Sequence, residues 1–456
     1  MSLHDRLADH VAALEHGLLE REAAARLVLL AALAGEHVLL VGPPGTAKSE
    51  LARRLHRAFD GAGYFERLLT RFSTPEELFG PLSLKALEAD RYERQTEGFL
   101  PTAGIAFLDE VFKANSAILN ALLTLLNERE FDNGSGRQRV PLVAVVGATN
   151  ELPADDALQA FLDRFLVRVA VQPVGDDAFA ALLALQPGGA AAPAPLTAGE
   201  RAGLAQAASG VAMGDDALAA LAALRTQAAT WGLPVSDRRW RQWVALMRTA
   251  AASEGRTRID RVDLWLAPHV AAARPEDAER VAAWFQAEVL QAVPHEAPGL
   301  VRAVQAFEQQ LDIEQRAEPE AGDGGAAGKL ALAKAIGGAD DAGMLRIMSR
   351  TLEAQARRRW SPVHVAARLA QVDALAADAR AELAQAEAAL AGLQAALAGR
   401  LWVPPPLAAR WTGAHAHTAA VRRALLQRLA AVRDGFAALP VDDTLPATEP
   451  AAVAWG

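Results

Sequence analysis

The stretch "HVLLVGPPGTAKSELARRLHRAF" (37–59) constrains the fold more than any other part of the chain. A short apolar run, a loop rich in glycine and proline and an amphipathic segment follow without a break, so a buried strand passes directly into a helix. Such a unit belongs in a parallel sheet whose next strand is reached by a helical crossover. The loop, "GPPGTAKS" (42–49), nearly matches G-x-x-x-x-G-K-[ST], in which backbone N–H groups cradle phosphates. It departs at Ala47, where that pattern has glycine. Alanine lacks the freedom of glycine at positive φ, so the expectation is a loop that keeps this position at negative φ.

Four further apolar runs, "RLLTRF" (67–72), "IAFLD" (105–109), "LVAVVGA" (142–148) and "FLVRVAV" (165–171), read as buried strands, with amphipathic helical segments between them. Strands alternating with helices predict an α/β core, a five-stranded parallel sheet covered on both faces, over residues 1–172. Two inserts within it, 82–100 around "EAD" and 129–142 with Asn-Gly at its bend, read as hairpins. From 173 the strand signals stop. Residues 173–270 have the periodicity of an all-helical lid, and 271–317 of a helical connection. "EPEAGDGGAAGK" (318–329) has the composition of a linker. A helical arm is expected over 330–440. Within 363–400, Leu369, Ala376, Leu383, Leu390 and Leu397 recur every seven residues and Val372, Ala379, Ala386 and Leu393 fill the second seam position, a coiled-coil pattern. "WVPPPL" (402–407) breaks that helix, and 419–439 can return antiparallel to it. Residues 441–456 are expected to be a disordered tail.

With 456 residues the chain is too long for one core. Its 52% hydrophobic and 22% charged content describes an ordered globular protein, and 5% aromatics with abundant alanine leans towards helix. There are no cysteines, which excludes disulfides, thiolate metal sites and a cysteine nucleophile. A net charge of −9 argues against a nucleic-acid footprint. The charged opening stretch lacks a signal-peptide pattern, and the apolar run "LVLLAALAG" is too short to cross a bilayer, so a cytoplasmic protein without membrane insertion is expected.

The loop's context makes it a candidate nucleotide site. Gly42, Pro43, Pro44, Gly45, Thr46, Ala47, Lys48, Ser49 and Glu50 form the candidate cradle, with Lys48 placed to reach the β and γ phosphates of a nucleotide and Ser49 to ligate Mg²⁺. "IAFLDEV" (105–111) ends a strand on two carboxylates: Asp109 to hold Mg²⁺ and Glu110 to polarise the attacking water. Asn150 closes "VVGATN" (145–150) and can orient that water or touch the γ-phosphate. Arg164 in "FLDRF" (161–165) can act in trans on the phosphoryl group of an adjacent subunit, with Arg168 as a rival.

Phosphate loop, Asp-Glu strand, Asn strand and arginine, in this order and followed by a helical lid, resemble an AAA+ ATPase. Residues 18–49, "LLEREAAARLVLLAALAGEHVLLVGPPGTAKS", resemble the MoxR branch and within it the RavA family, a branch that commonly carries alanine before the lysine. The resemblance covers residues 1 to about 290. It implies that Glu110 is the catalytic base, Asn150 the first sensor and Arg164 the finger. "VSDRRW" (235–240) matches the family's second sensor and points to Arg238, with Arg239 as the fallback. The resemblance also implies ATP and Mg²⁺ as cofactors, a ring oligomer of hexameric type, a von Willebrand factor A (VWA) domain partner and a protein client such as a metalloenzyme or complex. The hairpins would face the ring's pore.

A DNA-acting motor shares the same catalytic parts. It needs a basic channel, for which Arg91, Arg94, Arg137 and Arg139 on the inserts are the candidates. His415 and His417 lack further ligands nearby, and Arg357, Arg358 and Arg359 beside Trp360 read as a basic helix end.

Overall fold

A computed structural model of the protein describes residues 2–455 apart from 135, 154, 187–191, 234, 291–295 and 318–357. The expected linker and the first part of the expected arm therefore lie outside the described residues. The chain divides into two units, 1–291 with 395–410, and 292–394 with 411–456.

The first unit opens with α1 (Leu3–Glu15) and α2 (Glu22–Leu33), the latter buried along nearly its whole length. Then follow β1 (Val38–Val41), α3 (Lys48–Arg57), β2 (Tyr64–Leu68), α4 (Pro75–Phe79), α5 (Leu84–Leu87), β3 (Ile105–Asp109), α6 (Ser116–Glu128), β4 (Glu130–Asp132), β5 (Arg137–Arg139), β6 (Ala144–Thr149), α7 (Asp156–Leu162) and β7 (Val167–Ala170). Five strands form one parallel sheet in the order β2-β3-β6-β1-β7. The apolar runs of β1, β3 and β6 are continuous because both faces of central parallel strands are covered. The edge strand β2 spans 64–68 instead of the expected 67–72. Its outer positions Glu66 and Arg67 are polar, and "TRF" turns away from the sheet.

The two inserts differ. Over 129–142 the hairpin forms, β4 pairing antiparallel with β5. Gly134 takes φ +71°, and a Cβ there would lie 1.5 Å from the Tyr92 carbonyl oxygen. Over 82–100 the expected hairpin is corrected to the single turn α5, with one antiparallel bridge between Leu82 and Arg94. Ser83 caps that turn by accepting the Ala86 N–H (3.3 Å), and "LKAL" suits a helix as well as a strand. The inserts are joined by Asn133, whose Oδ1 accepts the Arg94 N–H (2.7 Å) and whose Nδ2 donates to the Arg94 carbonyl (3.3 Å).

The lid is built from α8 (Asp176–Leu183), α9 (Ala198–Ser209), α10 (Asp215–Thr230), α11 (Asp237–Ser253), α12 (Ala267–Val270) and α13 (Pro275–Trp284). One pairing the sequence does not signal joins it: β8 (Ala212–Met213) lies parallel to β9 (Arg258–Ile259). Residues 395–410 also belong to this unit, with Trp402 1% exposed.

The second unit contains α14 (Pro298–Arg316), most of α15 (Pro362–Leu397) and most of α16 (Pro405–Ala437). The heptad seam closes within the chain. Val372, Ala376 and Ala379 of α15 pack with Leu425, Leu429, Val432 and Phe436 of α16 and with Val304 and Phe307 of α14. Ion pairs Asp373–Arg433 (2.7 Å) and Glu387–Arg423 (2.5 Å) show that α15 and α16 run antiparallel. The return helix starts at Pro405, earlier than expected, because prolines are tolerated in a first helical turn. Residues 441–455 correct the expectation of a disordered tail. Val441 bridges Trp360, the Ala451 carbonyl accepts from Arg368 (2.7 Å), and the Trp455 ring lies 5.5 Å from that of Phe307. Aromatic and backbone contacts at scattered positions hold this segment, and they leave no periodic trace. Among the described residues no helix is long and apolar enough to cross a membrane.

Candidate functional site

The loop between β1 and α3 lies at the C-terminal edge of the sheet, where open α/β folds bind ligands. Gly42 donates its N–H to the Thr149 carbonyl (3.0 Å), and a Cβ there would sit 1.9 Å from the Val171 carbonyl oxygen. Glycine is required by that approach. Ala47 has φ +65° and ψ 22°, so the expectation of negative φ is overturned. The loop needs a left-handed residue at the helix entry, and a methyl is the smallest side chain that tolerates one. Lys48 Nζ is buried and donates to the carbonyls of Gly42 (2.7 Å) and Pro43 (2.8 Å). Burial lowers its pKa, while Asp109 and Glu110 raise it.

Pro44, Gly45, Thr46, Ala47, Lys48 and Ser49 line an open cleft of about 500 Å³ together with Leu68, Phe107, Asp109, Glu110 and Asn150. The C-terminal ends of β1, β2, β3 and β6 thus bring together residues far apart in sequence. Glu50 is the exception in the loop: its carboxylate pairs with Arg54 (2.8 Å) along α3 and is not among the lining residues. Asp109 ends β3, and its Oδ1 accepts the Glu110 N–H (3.0 Å). Glu110 has φ +51°, a conformation non-glycine residues hold where the surroundings fix them, often at functional sites. Its Oε1 accepts from Asn150 Nδ2 and lies 3.3 Å from Lys113 Nζ.

The donor set suits a magnesium–triphosphate. The loop supplies backbone N–H groups and a helix N-terminus for phosphate oxygens, and Ser49 and Asp109 add hard oxygen donors. Among the described residues no group of three or more His, Cys, Asp or Glu could hold a metal alone. A cation here would share its coordination with phosphate and water, as Mg²⁺ does. Glu110, the second carboxylate in the cleft, can accept a proton from water.

Neither Arg164 nor Arg238 lines this cleft. Arg164 is half-buried; burial, then the neighbouring charge of Arg238, lowers its pKa. Arg238 is exposed at the start of α11. Arg239, the fallback, is a structural residue. It is 2% exposed and donates to the carbonyls of Val270 (2.5 Å), Phe165 (3.2 Å) and Leu166, with Asp163 at 3.3 Å, and burial brings its pKa down to about 10. Arg168 is likewise committed, donating to Ala272 (3.4 Å) and Leu162 (3.2 Å), with its pKa lowered by burial to about 9. On the inserts, Arg91 pairs with Glu93 (2.9 Å), Arg94 with Glu76 (3.4 Å) and Arg137 with Glu128 (3.0 Å). Glu20, Arg21, Glu36 and Gln172 support the loop and lid, and no sequence motif assigned them a role, although the first three fall within 18–49. The one available signal was the charged pair Glu20-Arg21 directly ahead of an apolar helix.

Residues 5–198 match the family model described as the MoxR domain in the MoxR-vWA-beta-propeller ternary systems, and residues 216–285 match an AAA lid domain. Two uncharacterized proteins of Methanocaldococcus jannaschii are each 54% identical over 157 residues, 34% of this chain and 42% and 41% of their own lengths. The protein MoxR of Paracoccus denitrificans is 30% identical over 176 residues, 37% of this chain and 50% of its own. The chain thus spans half or less of the length of these relatives. A solved structure of a presumed ATPase from Cytophaga hutchinsonii aligns over 61% of this chain and 85% of its own, at 15% identity and a TM-score of 0.48. With the five-stranded parallel sheet and its phosphate loop in place, residues 5–198 form a MoxR-type AAA+ domain, and residues 216–285 form the AAA lid that follows it.

Proposed function

We propose that this protein hydrolyses ATP with Mg²⁺ at the cleft between β1, β3 and β6, in a ring oligomer that does conformational work on a protein client. The observation that carries the reading is the convergence of Lys48, Ser49, Asp109, Glu110 and Asn150 on one cleft. Lys48 and the loop amides would hold the β and γ phosphates; Ser49 and Asp109 would hold Mg²⁺, whose chemistry is to neutralise charge developing on the transferred phosphoryl. Glu110, tethered by Asn150 and Lys113, would take the proton of the attacking water. Arg164, with Arg238 in electrostatic range, would meet the nucleotide of the neighbouring protomer.

The matched family model is named for systems that pair a MoxR protein with a vWA protein and a beta-propeller protein, which supports a VWA-domain partner. A hexameric ring, a metalloenzyme or complex as client, a pore-facing role for the inserts and the RavA branch rest on the resemblance of the sequence. The DNA-motor reading is not adopted, because three of its four candidate arginines are engaged with carboxylates.

The test is the steady-state ATPase rate of purified protein. Lys48→Ala and Glu110→Gln are each expected to lower it about 100-fold or more, and EDTA to abolish it. A rate unchanged in both variants would remove the cleft from the chemistry.

A further inference from the structure

Arg21 lies between α1 and α2 and is 5% exposed. Its guanidinium is given to three backbone carbonyls. Nε donates to Thr46 (3.1 Å), Nη2 to Gln172 (2.5 Å) and Nη1 to Glu20 (2.9 Å). Thr46 is a cleft-lining residue of the phosphate loop, and Gln172 starts the strap that leads from β7 to the lid. The preceding residue grips the far end of the same strap, with Glu20 Oε2 accepting the Gly175 N–H (2.9 Å). Glu20 does so at φ +56°, a backbone conformation that non-glycine residues keep only where neighbours over-determine it. A buried guanidinium whose hydrogen bonds go to three carbonyls, with the charges of Glu20 and Glu22 nearby, orients those carbonyls strongly, since each charge-assisted bond is roughly twice a neutral one.

We propose that Arg21 is a positioning residue for nucleotide binding, which rests on the ATPase reading above. The Thr46 carbonyl and the Ala47 N–H belong to one planar trans peptide, so they point in opposite directions. Holding that carbonyl on Arg21 turns the Ala47 N–H away from Arg21 and fixes the plane just before the left-handed Ala47. The same guanidinium holds Gln172, so a shift of the loop against phosphate is felt at the strap to the lid. Arginine is required because its rigid fork serves three acceptors at once, which an ammonium on a flexible stem does not.

The experiment is an equilibrium titration of the full chain with a fluorescent ATP analogue and Mg²⁺, comparing wild type, Arg21→Ala, Arg21→Lys and Lys48→Ala. Arg21→Ala and Arg21→Lys are each expected to weaken binding about 10-fold or more. Guanidinium ion at about 20 mM is expected to restore part of the affinity of Arg21→Ala, whereas as a denaturant it would only worsen a general loss of stability. Should Arg21→Ala fail to fold, Arg21→Lys carries the test by its affinity alone. Wild-type affinity in Arg21→Lys, or no response of Arg21→Ala to guanidinium, overturns the proposal. If wild type itself fails to bind, the ATPase reading falls. If binding is lost in Lys48→Ala but intact in Arg21→Lys, only the role of Arg21 falls.

Discussion

Ala47 holds a left-handed backbone at the helix entry of the phosphate loop, where a Cβ is unfavourable by roughly 1 kcal/mol. Ala47→Gly removes that strain but gives the unfolded chain more freedom, so a net gain of about 0.5 kcal/mol in unfolding free energy is expected from urea titration. A clear loss would mean that the methyl packs favourably. Glu36 is a second residue whose setting has a measurable outcome. Its carboxylate accepts from Gln242 of α11 (2.8 Å), and burial raises its pKa to about 7 against the charges of Arg129 and Arg238. The folded protein therefore binds a proton at Glu36 more tightly than the unfolded chain, and this group makes stability fall as pH rises from about 4.5 to about 7. Adjacent His37, neutral and buried with its pKa lowered to about 3, acts oppositely below its ordinary value of 6.5. The two slopes offset each other in wild type below pH 6.5, so Glu36→Gln is needed to separate them. The stability of wild type relative to Glu36→Gln should fall between pH 5 and pH 8, by at most about 3 kcal/mol, in unfolding measurements at both pH values. A difference independent of pH would contradict it.

The turn between α15 and α16 is an anchor in the first unit. Trp402 Nε1 donates to Ser253 Oγ (2.7 Å), the Leu401 N–H to Glu254 Oε1 (2.8 Å) and Arg400 Nη1 to Asp263 (2.6 Å), while the Leu401 carbonyl accepts from Arg26 of α2. Lid helix α11 and core helix α2 thus hold the same short turn. Trp402→Ala should destabilise this unit by about 3–5 kcal/mol, read as a lowered unfolding midpoint, because it empties a fully buried aromatic site and leaves Ser253 without that donor. A shift near zero would show the turn to be a passive linker. The proline break at 404–406 was legible in the sequence, whereas the anchoring was not. "GRLWV" has no period, and its partners stand far upstream. The same contrast runs through the chain. Strands β1, β3, β6 and β7 were legible because buried parallel strands are continuous apolar runs, and the order of loop, Asp-Glu and Asn pointed to the cleft those residues line, whereas Arg164 does not line it. α5 was misread because "LSLKAL" fits period 2 and a helical turn equally. Ala47's left-handed backbone escaped because composition does not report φ, and Arg21 escaped because its partners are carbonyls, which any residue supplies.

At the scale of the whole molecule, the proposed hydrolysis requires a second copy of the chain to complete the cleft. The phosphate loop, Asp109, Glu110 and Asn150 meet within one chain, and Arg164 stands apart from them. This division of labour fits an oligomer in which each site borrows a cation from its neighbour. The most direct measurement mixes two inactive variants. Glu110→Gln lacks the base but keeps Arg164, and Arg164→Ala lacks the finger but keeps Glu110. Each alone is expected to hydrolyse ATP at least about 100-fold more slowly than wild type. In an equal mixture about one quarter of interfaces would join an intact base to an intact finger, and a corresponding share of the wild-type rate should return. Full activity of Arg164→Ala alone, or a mixture no faster than its components, would contradict catalysis across the interface.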